Sequence, residues 1–238
     1  MMHHIVALSG GKDSTAMALR LRELEPDTQF TYICTPTGDE LPDMVDHWLR
    51  LENLLGTRLT YLTSGHSLGS LIGQWNALPN WRQRWCTRVL KIEPFEKYLA
   101  SHLPAVTYTG IRADETDREG IEGGGEAIRR FPMIEWGWGL ADVLGYLADR
   151  GVTIPDRTDC GACFFQTLGE WHRLWAEHPD RYARYEAWER QTGYTFRSPQ
   201  RDSQPASLAM LRVQFELGYT PRRTKMTDRK IMCSVCAR

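Results

Sequence analysis

His4-Ile5-Val6-Ala7-Leu8-Ser9-Gly10-Gly11-Lys12-Asp13-Ser14 decides how this chain is read. An apolar, β-branched run ends in two glycines, and a helical pattern follows at once. Gly10 and Gly11 let the backbone take positive φ and lie close against a ligand. Successive N–H groups in such a turn form a nest for an anion, and the helix behind them adds the positive end of its dipole. Lys12 brings a cation and Ser14 a hydroxyl. Residues 9–14 therefore read as a pyrophosphate cradle at a strand-to-helix junction. The Walker spacing, with Lys-Ser/Thr after a second glycine, is absent. The competing reading is an ordinary turn in which Asp13 and Ser14 cap a helix.

Working outward, strands alternate with helices through the first half. Residues 5–8, 30–34, 59–62 and 106–109 read as strands. Residues 15–24, 41–55 and 88–99 read as helices, the last interrupted at Pro94. This alternation predicts an α/β fold, a doubly wound parallel sheet with helices on both faces. Ligands of such sheets bind at the carboxyl ends of the strands. The glycine loop, residues 35–39 and residues 110–115 all fall there.

The second half changes character. Residues 141–150, 169–188 and 205–217 read as helices, with Pro205 starting the last and Gly218 ending it. Residues 197–204 are polar and read as a loop; residues 225–238 form a basic tail. Residues 121–127, with three consecutive glycines, read as a flexible surface segment that orders with substrate. The expected organisation is a nucleotide-binding unit over residues 1–155 and a helical, cysteine-bearing C-terminal extension over 156–238.

Composition narrows the function classes. At 238 residues and net charge −1, bulk charge gives no argument for nucleic-acid binding, although a basic tail is present. The start lacks a basic n-region and a long apolar core, and no run of about 18 apolar residues exists. A cytoplasmic protein without membrane contact is expected. Six cysteines there are reactive or metal-bound rather than disulfide-paired. Trp75, Trp81, Trp85, Trp136 and Trp138 are expected in core packing, with a base-stacking cleft as the alternative. Trp171, Leu174, Trp175, Tyr182, Tyr185 and Trp188 have helical spacing and read as core beneath the cysteines. His66, His102, His172 and His178 show no metal spacing and read as exposed.

Ser9-Gly10-Gly11-Lys12-Asp13-Ser14 resembles the SGGxDS loop of the PP-loop ATP pyrophosphatase superfamily, whose members cleave ATP to AMP and pyrophosphate. Three further stretches resemble its phosphoadenosine phosphosulfate (PAPS) reductase family. They are Gly110-Ile111-Arg112-Ala113-Asp114-Glu115-Thr116; Trp85-Cys86-Thr87-Arg88-Val89-Leu90-Lys91-Ile92-Glu93-Pro94; and Phe131-Pro132-Met133-Ile134-Glu135-Trp136 followed by Ala141-Asp142-Val143. The pattern is closest to the DndC-like sulfur-transfer proteins. The resemblance implies a HUP- or Rossmann-like PP-loop fold. It implies ATP and Mg²⁺ as ligands, with Lys12, Asp13 and Arg112 catalytic and Ser9, Gly10, Gly11, Ser14, Gly38, Asp39 and Gly110 binding nucleotide. For Asp39 the alternative is a helix N-cap. For Arg112 it is a surface salt bridge with Asp114 or Glu115, and Lys91 reads equally as functional or as a solvated helix face.

Two CxxC pairs, Cys160/Cys163 and Cys233/Cys236, suit tetrahedral zinc or a 4Fe-4S cluster. The family resemblance points to the cluster, with Cys86, Cys160 and Cys163 as ligands and Cys233 or Cys236 completing the set. Cys34 reads as a buried small hydrophobe. The implied activity is adenylation of an acceptor coupled to sulfur transfer onto nucleic acid, DNA or tRNA, with a cysteine desulfurase as sulfur donor. A PAPS/APS sulfonucleotide reductase releasing sulfite is one alternative. A non-catalytic nucleotide-binding subunit with a zinc site is another. The sulfonucleotide reductases' E-C-G-[IL]-H tail motif is missing.

Overall fold

The computed structural model describes residues 1–115 and 127–221. Five strands form one parallel sheet: β1 (His3–Ala7), β2 (Phe30–Cys34), β3 (Thr60–Tyr61), β4 (Ala105–Tyr108) and β5 (Ile128–Arg130), in the order β3-β2-β1-β4-β5. Every pairing is parallel, with Ile5 opposite Thr31 on one side and Thr107 on the other. The expected α/β sheet is present. The strand order reverses direction between β1 and β4, and this seam is where a doubly wound sheet opens a crevice at its carboxyl edge.

Helices follow the strands as the alternation predicts: α1 (Lys12–Leu24) after β1 and α2 (Pro42–Leu55) after β2. Helix α2 starts with Pro42, whose missing N–H costs nothing at a first turn, and stops at Gly56 in the left-handed region, φ 66°. Helix α3 (Leu68–Trp75) has no counterpart in the sequence reading. Ser67 and Ser70 cap it reciprocally, with Ser70 in the place where a Glu or Gln usually signals such a start. The predicted helix over 88–99 is a composite of α4 (Trp85–Thr87), a π-turn (Arg88–Ile92) and α5 (Glu93–Ala100). Pro94 stands in the first turn of α5, so the helix restarts there instead of breaking.

The second half holds α6 (Pro132–Glu135), α7 (Leu140–Asp149), α8 (Leu168–Glu177), α9 (Pro179–Thr192) and α10 (Leu208–Glu216). One helix over 169–188 was the expectation. The chain makes two, because Pro179 cannot continue the hydrogen-bond ladder and His178 turns out of helical geometry, φ −134°. Leu8, Met17, Leu21, Tyr32, Met44 and Leu51 pack a first core against the sheet. A second core joins Leu41, Leu68, Leu71, Ile72 and Leu90 to Trp171, Tyr182, Tyr185, Phe196 and Phe215. The aromatic block of α8 and α9 thus packs as expected. Of the five tryptophans from Trp75 to Trp138 expected in core packing, Trp136 and Trp138 pack on the first core and Trp85 on the second. Trp75 and Trp81 instead stand exposed. Of the four histidines expected in solvent only His66 is exposed; His102 stacks on Tyr98, and His172 packs edge-on against Phe215.

No helix among the described residues is long and apolar enough to cross a membrane. Thr116, most of the glycine-rich segment and the whole basic tail, with Cys233 and Cys236, lie outside the described residues.

Candidate functional site

The glycine loop leaves β1 at the seam of the sheet. Gly10 has φ +84°, and a Cβ there would drive into Met44 Cε and Trp48 Nε1. Glycine is therefore required by conformation and by space alike. Two side chains of α2 hold the loop from behind: His47 Nε2 lies 3.0 Å from the Gly10 carbonyl, and the Trp48 indole N–H donates to the Ser9 carbonyl at 3.1 Å. Both carbonyls are thereby drawn toward α2. His47 is buried, which pushes its pKa down to about 4, and its Nδ1 has no partner among the described residues. It is a neutral hydrogen-bonding prop. Nothing in the sequence marks it, because a histidine beside the apolar stripe Met44-Trp48-Leu51 carries no signal of its own.

Inside the loop, the Ser9 and Ser14 hydroxyls lie 3.0 Å apart, and the Gly11 N–H donates to Ser9 Oγ at 3.3 Å. Lys12 Nζ donates to Asp13 Oδ2 at 3.1 Å, with Lys12 only 6 % exposed. From across the seam Arg112 Nη1 donates to Asp13 Oδ1 at 3.0 Å. The same guanidinium reaches Asp114 at 2.8 Å and Glu115 at 3.6 Å. Burial opposes the Arg112 charge, but Asp13, with Asp114 and Glu115 behind it, outweighs that and raises its pKa. Gly110 permits the approach: a Cβ there would lie 3.2 Å from the Ser14 amide nitrogen. Lys12, Asp13 and Arg112 thus converge at the end of α1. An ammonium and a guanidinium share one carboxylate, next to a glycine-rich turn and the helix's positive end.

Asp39 is placed elsewhere. Glu40 accepts from Thr37 N, Thr37 Oγ1 and Gly38 N at 2.6, 2.7 and 3.0 Å, fixing the loop after β2. Asp39 then turns inward, 3 % exposed, and accepts from Tyr185 Oη at 2.8 Å, Ala162 N at 3.1 Å and Arg184 Nη2 at 2.6 Å. Burial raises its pKa, against the pull of the Tyr185 hydroxyl and Arg184. Its carbonyl accepts from Gly161 N at 2.8 Å. Asp39 therefore grips the turn that carries Cys160 and Cys163, and Gly38 beside it takes φ +77°.

That turn is clamped from several sides. Arg157, 6 % exposed, donates to the Cys160 carbonyl at 3.0 and 3.3 Å and to Glu170 at 2.6 Å. Gln166 donates to the Gly161 carbonyl at 2.6 Å, and Arg201 reaches the carbonyls of Phe164 and Phe165. The Cys160 and Cys163 thiols interact with each other, which raises the Cys160 pKa and lowers that of Cys163. Cys86 is raised by burial and senses the charge of Cys163. The three cysteines share one neighbourhood. Among the described residues, however, no group of three His, Cys, Asp or Glu is arranged to hold a metal ion. The indole N–H of Trp85, beside Cys86, is buried without a partner among them. Cys34 is buried as expected, its thiol donating to the Leu8 carbonyl at 2.8 Å.

The glycine loop and the cysteine turn adjoin. A Cβ on Gly11 would lie 3.5 Å from Thr158 Oγ1, two residues before Cys160.

The family model for the phosphoadenosine phosphosulfate reductase domain matches residues 3–174. Among curated proteins nothing matches. Among the solved structures similar to this chain are two of known identity. One is phosphoadenylyl-sulfate (PAPS) reductase from Candida auris in its phosphate complex. It has a TM-score of 0.51 and 15 % identity, covering 65 % of this chain and 75 % of that one. The other is the U34-tRNA thiolase NcsA from Methanococcus maripaludis with its 4Fe-4S cluster. Its TM-score is 0.49 and its identity 15 %, covering 88 % of this chain and 80 % of that one. At such identity the first likeness is one of fold.

Proposed function

The chain belongs to the phosphoadenosine phosphosulfate reductase domain family, and from that premise we propose that it binds ATP with Mg²⁺ in the loop of residues 9–14 and adenylates an acceptor. The observation that carries this reading is the convergence of Lys12 and Arg112 on Asp13, beside the turn at Gly10. Two cations at a helix N-terminus suit a polyphosphate, and a carboxylate between them suits Mg²⁺.

An oxygen of the acceptor attacks the α-phosphorus. The bond from that phosphorus to the bridging oxygen breaks, and pyrophosphate leaves with its electron pair. Lys12, Ser9, Ser14 and the amides of Gly10 and Gly11 stabilise the leaving charge. Arg112 neutralises charge at the α-phosphorus, and Asp13 positions both cations. Catalysis is mainly positioning and electrostatics. A sulfur nucleophile then attacks the adenylated atom of the acceptor, and AMP leaves with the former acceptor oxygen. Where the sulfur arrives as the persulfide of a donor such as a cysteine desulfurase, a second thiol supplies the two electrons that cleave the S–S bond. The acceptor is a nucleic acid, DNA or tRNA.

What supports a thiolate-bound group is the kind and proximity of the donors, three thiols in one clamped neighbourhood, and not a preformed coordination geometry among the described residues. Cys86, Cys160 and Cys163 would hold a 4Fe-4S cluster, or zinc as the alternative, with Cys233 or Cys236 as the fourth ligand. Such a cluster, when bound, supplies iron that holds sulfur. We take residues 1–155 as the nucleotide unit and 156–238 as the cysteine-bearing one. We place the protein in the cytoplasm, where ATP and reduced thiols coexist.

A second reading, reduction of PAPS or APS with release of sulfite, is favoured by the family itself. One pair of assays separates the two: ATP·Mg²⁺ with pyrophosphate as readout, and PAPS with thioredoxin and sulfite as readout. Pyrophosphate release that disappears in Lys12→Ala supports adenylation. Sulfite without pyrophosphate reverses the ranking. An anaerobic visible spectrum tests the cluster, which absorbs broadly near 400 nm.

A further inference from the structure

The chain carries 30 Asp and Glu, yet residues 53–92 contain none, while Arg58, Arg82, Arg84, Arg88 and Lys91 all fall there. Four of these cations crowd into residues 82–91, interleaved with Trp81 and Trp85. The structure puts this stretch at the surface beside the cysteine turn. Trp81 is 59 % exposed, and Trp75, Arg82 and Arg88 are exposed with it. The Arg82 guanidinium lies over the Trp81 ring, 4.7 Å from its centroid. Asn80 fixes that pair, its side-chain oxygen accepting from the N–H groups of Arg82 and Gln83, both at 2.9 Å. Trp75 meets Trp85 edge-on at 5.0 Å. The Arg84 guanidinium lies over the Phe165 ring, 5.5 Å from its centroid and two residues beyond Cys163. Arg88 reaches one acid, Glu93, at 3.4 Å. A cationic strip with exposed rings, bordered by a single acid at Glu93, matches a strand that presents phosphates and unstacked bases together. A duplex hides its base faces.

We propose that Trp75, Trp81, Arg82, Arg84 and Arg88 form a binding strip for single-stranded nucleic acid, which lays the strand along the edge of the cysteine turn. The strip rests on the reading above only in giving the strand a purpose; its binding needs neither ATP nor the glycine loop. Trp81 stacks a base, and Arg82 and Arg88 take phosphates.

The test uses the full chain and fluorescein-labelled 20-mers of oligo(dT) and oligo(U), followed by anisotropy and by tryptophan quenching, without ATP. Either strand is expected to bind with tryptophan quenching and with affinity that falls as salt rises. Trp81→Ala is expected to weaken binding about 5- to 100-fold at every salt concentration. The double variant Arg82→Ala/Arg88→Ala is expected to lower the slope of log affinity against log salt by about 1.4, roughly 0.7 for each phosphate released. The two arms tell DNA from RNA, and binding of either one supports the strip. No binding at low salt, equal binding by Trp81→Ala, or duplex bound as tightly as single strand overturns it. Heparin binding as strong as the oligonucleotides, and indifferent to Trp81→Ala, overturns it too. Pyrophosphate release from ATP is measured separately, so a failure of the adenylation reading leaves this result standing.

Discussion

Arg112 crosses the seam between β4 and β1 to donate to Asp13 Oδ1 at 3.0 Å, while Lys12 holds the other oxygen of the same carboxylate at 3.1 Å. The two ends of the sheet's reversal point are tied through one side chain. Arg112→Lys keeps the charge but loses the planar fork that spans Asp13 and Asp114. Turnover measured by pyrophosphate release should fall about 10- to 100-fold, with the thermal midpoint moved little. Unchanged turnover would separate Arg112 from the chemistry.

His47 and Trp48 give a second expectation. Removing either leaves a loop carbonyl short of its donor, at about 1–3 kcal/mol for a buried group. His47→Ala and Trp48→Phe should each weaken nucleotide binding roughly tenfold in calorimetry. The pH behaviour follows from burial. His47 sits near 4 in the fold against an ordinary 6.5, so its contribution is complete above pH 6.5 and is lost as pH falls toward 4. Wild-type stability should therefore drop more steeply over that window than His47→Gln. Parallel curves would mean that the imidazole charges freely in the folded protein.

Asp39 should govern the cysteine turn. Asp39→Ala strands the Ala162 N–H and the Tyr185 hydroxyl, where Tyr185→Phe removes only one donor from a carboxylate that keeps others. The first should accelerate alkylation of Cys160 and Cys163 several-fold and lower the thermal midpoint; the second should do little to either. Equal effects of the two, read by mass spectrometry of labelled peptides, would refute the clamp.

Glu189 predicts an opposite pH trend. Burial raises it to about 7 from an ordinary 4.5, against the N–H groups of Leu208 and Phe196 at 2.7 and 2.9 Å. The folded state holds a proton that the unfolded chain releases, so this contribution is full below pH 4.5 and fades up to about 7. The stability advantage of wild type over Glu189→Gln should shrink across that range in denaturant titrations. A gap that stays constant across that range would show Glu189 ionised in the fold.

The parallel sheet was readable because β-branched runs and glycine turns are local signals, and β1 through Gly11 carries both. Helix α3 was not, since Ser70 in place of a Glu or Gln hides its cap. The break at Pro179 was lost inside an aromatic pattern that spans both helices. The convergence of Arg112 on Asp13 needed the strand order, which no spacing encodes. The same holds for Asp39: its motif places it after β2, but only the packing of α9 shows Tyr185 and Arg184 waiting for it. Trp75 and Trp81 stand exposed, and no spacing in the sequence separates them from the tryptophans that pack on the cores.

The second core draws Leu41, Leu68, Leu71, Ile72 and Leu90 from one side and Trp171, Tyr185 and Phe215 from the other. A fragment ending near residue 155 would keep the whole sheet yet bare that greasy flank and orphan an interior carboxylate. Whoever trims this chain for crystallisation or screening should expect inclusion bodies from the shortened piece, however complete its nucleotide motifs look on paper.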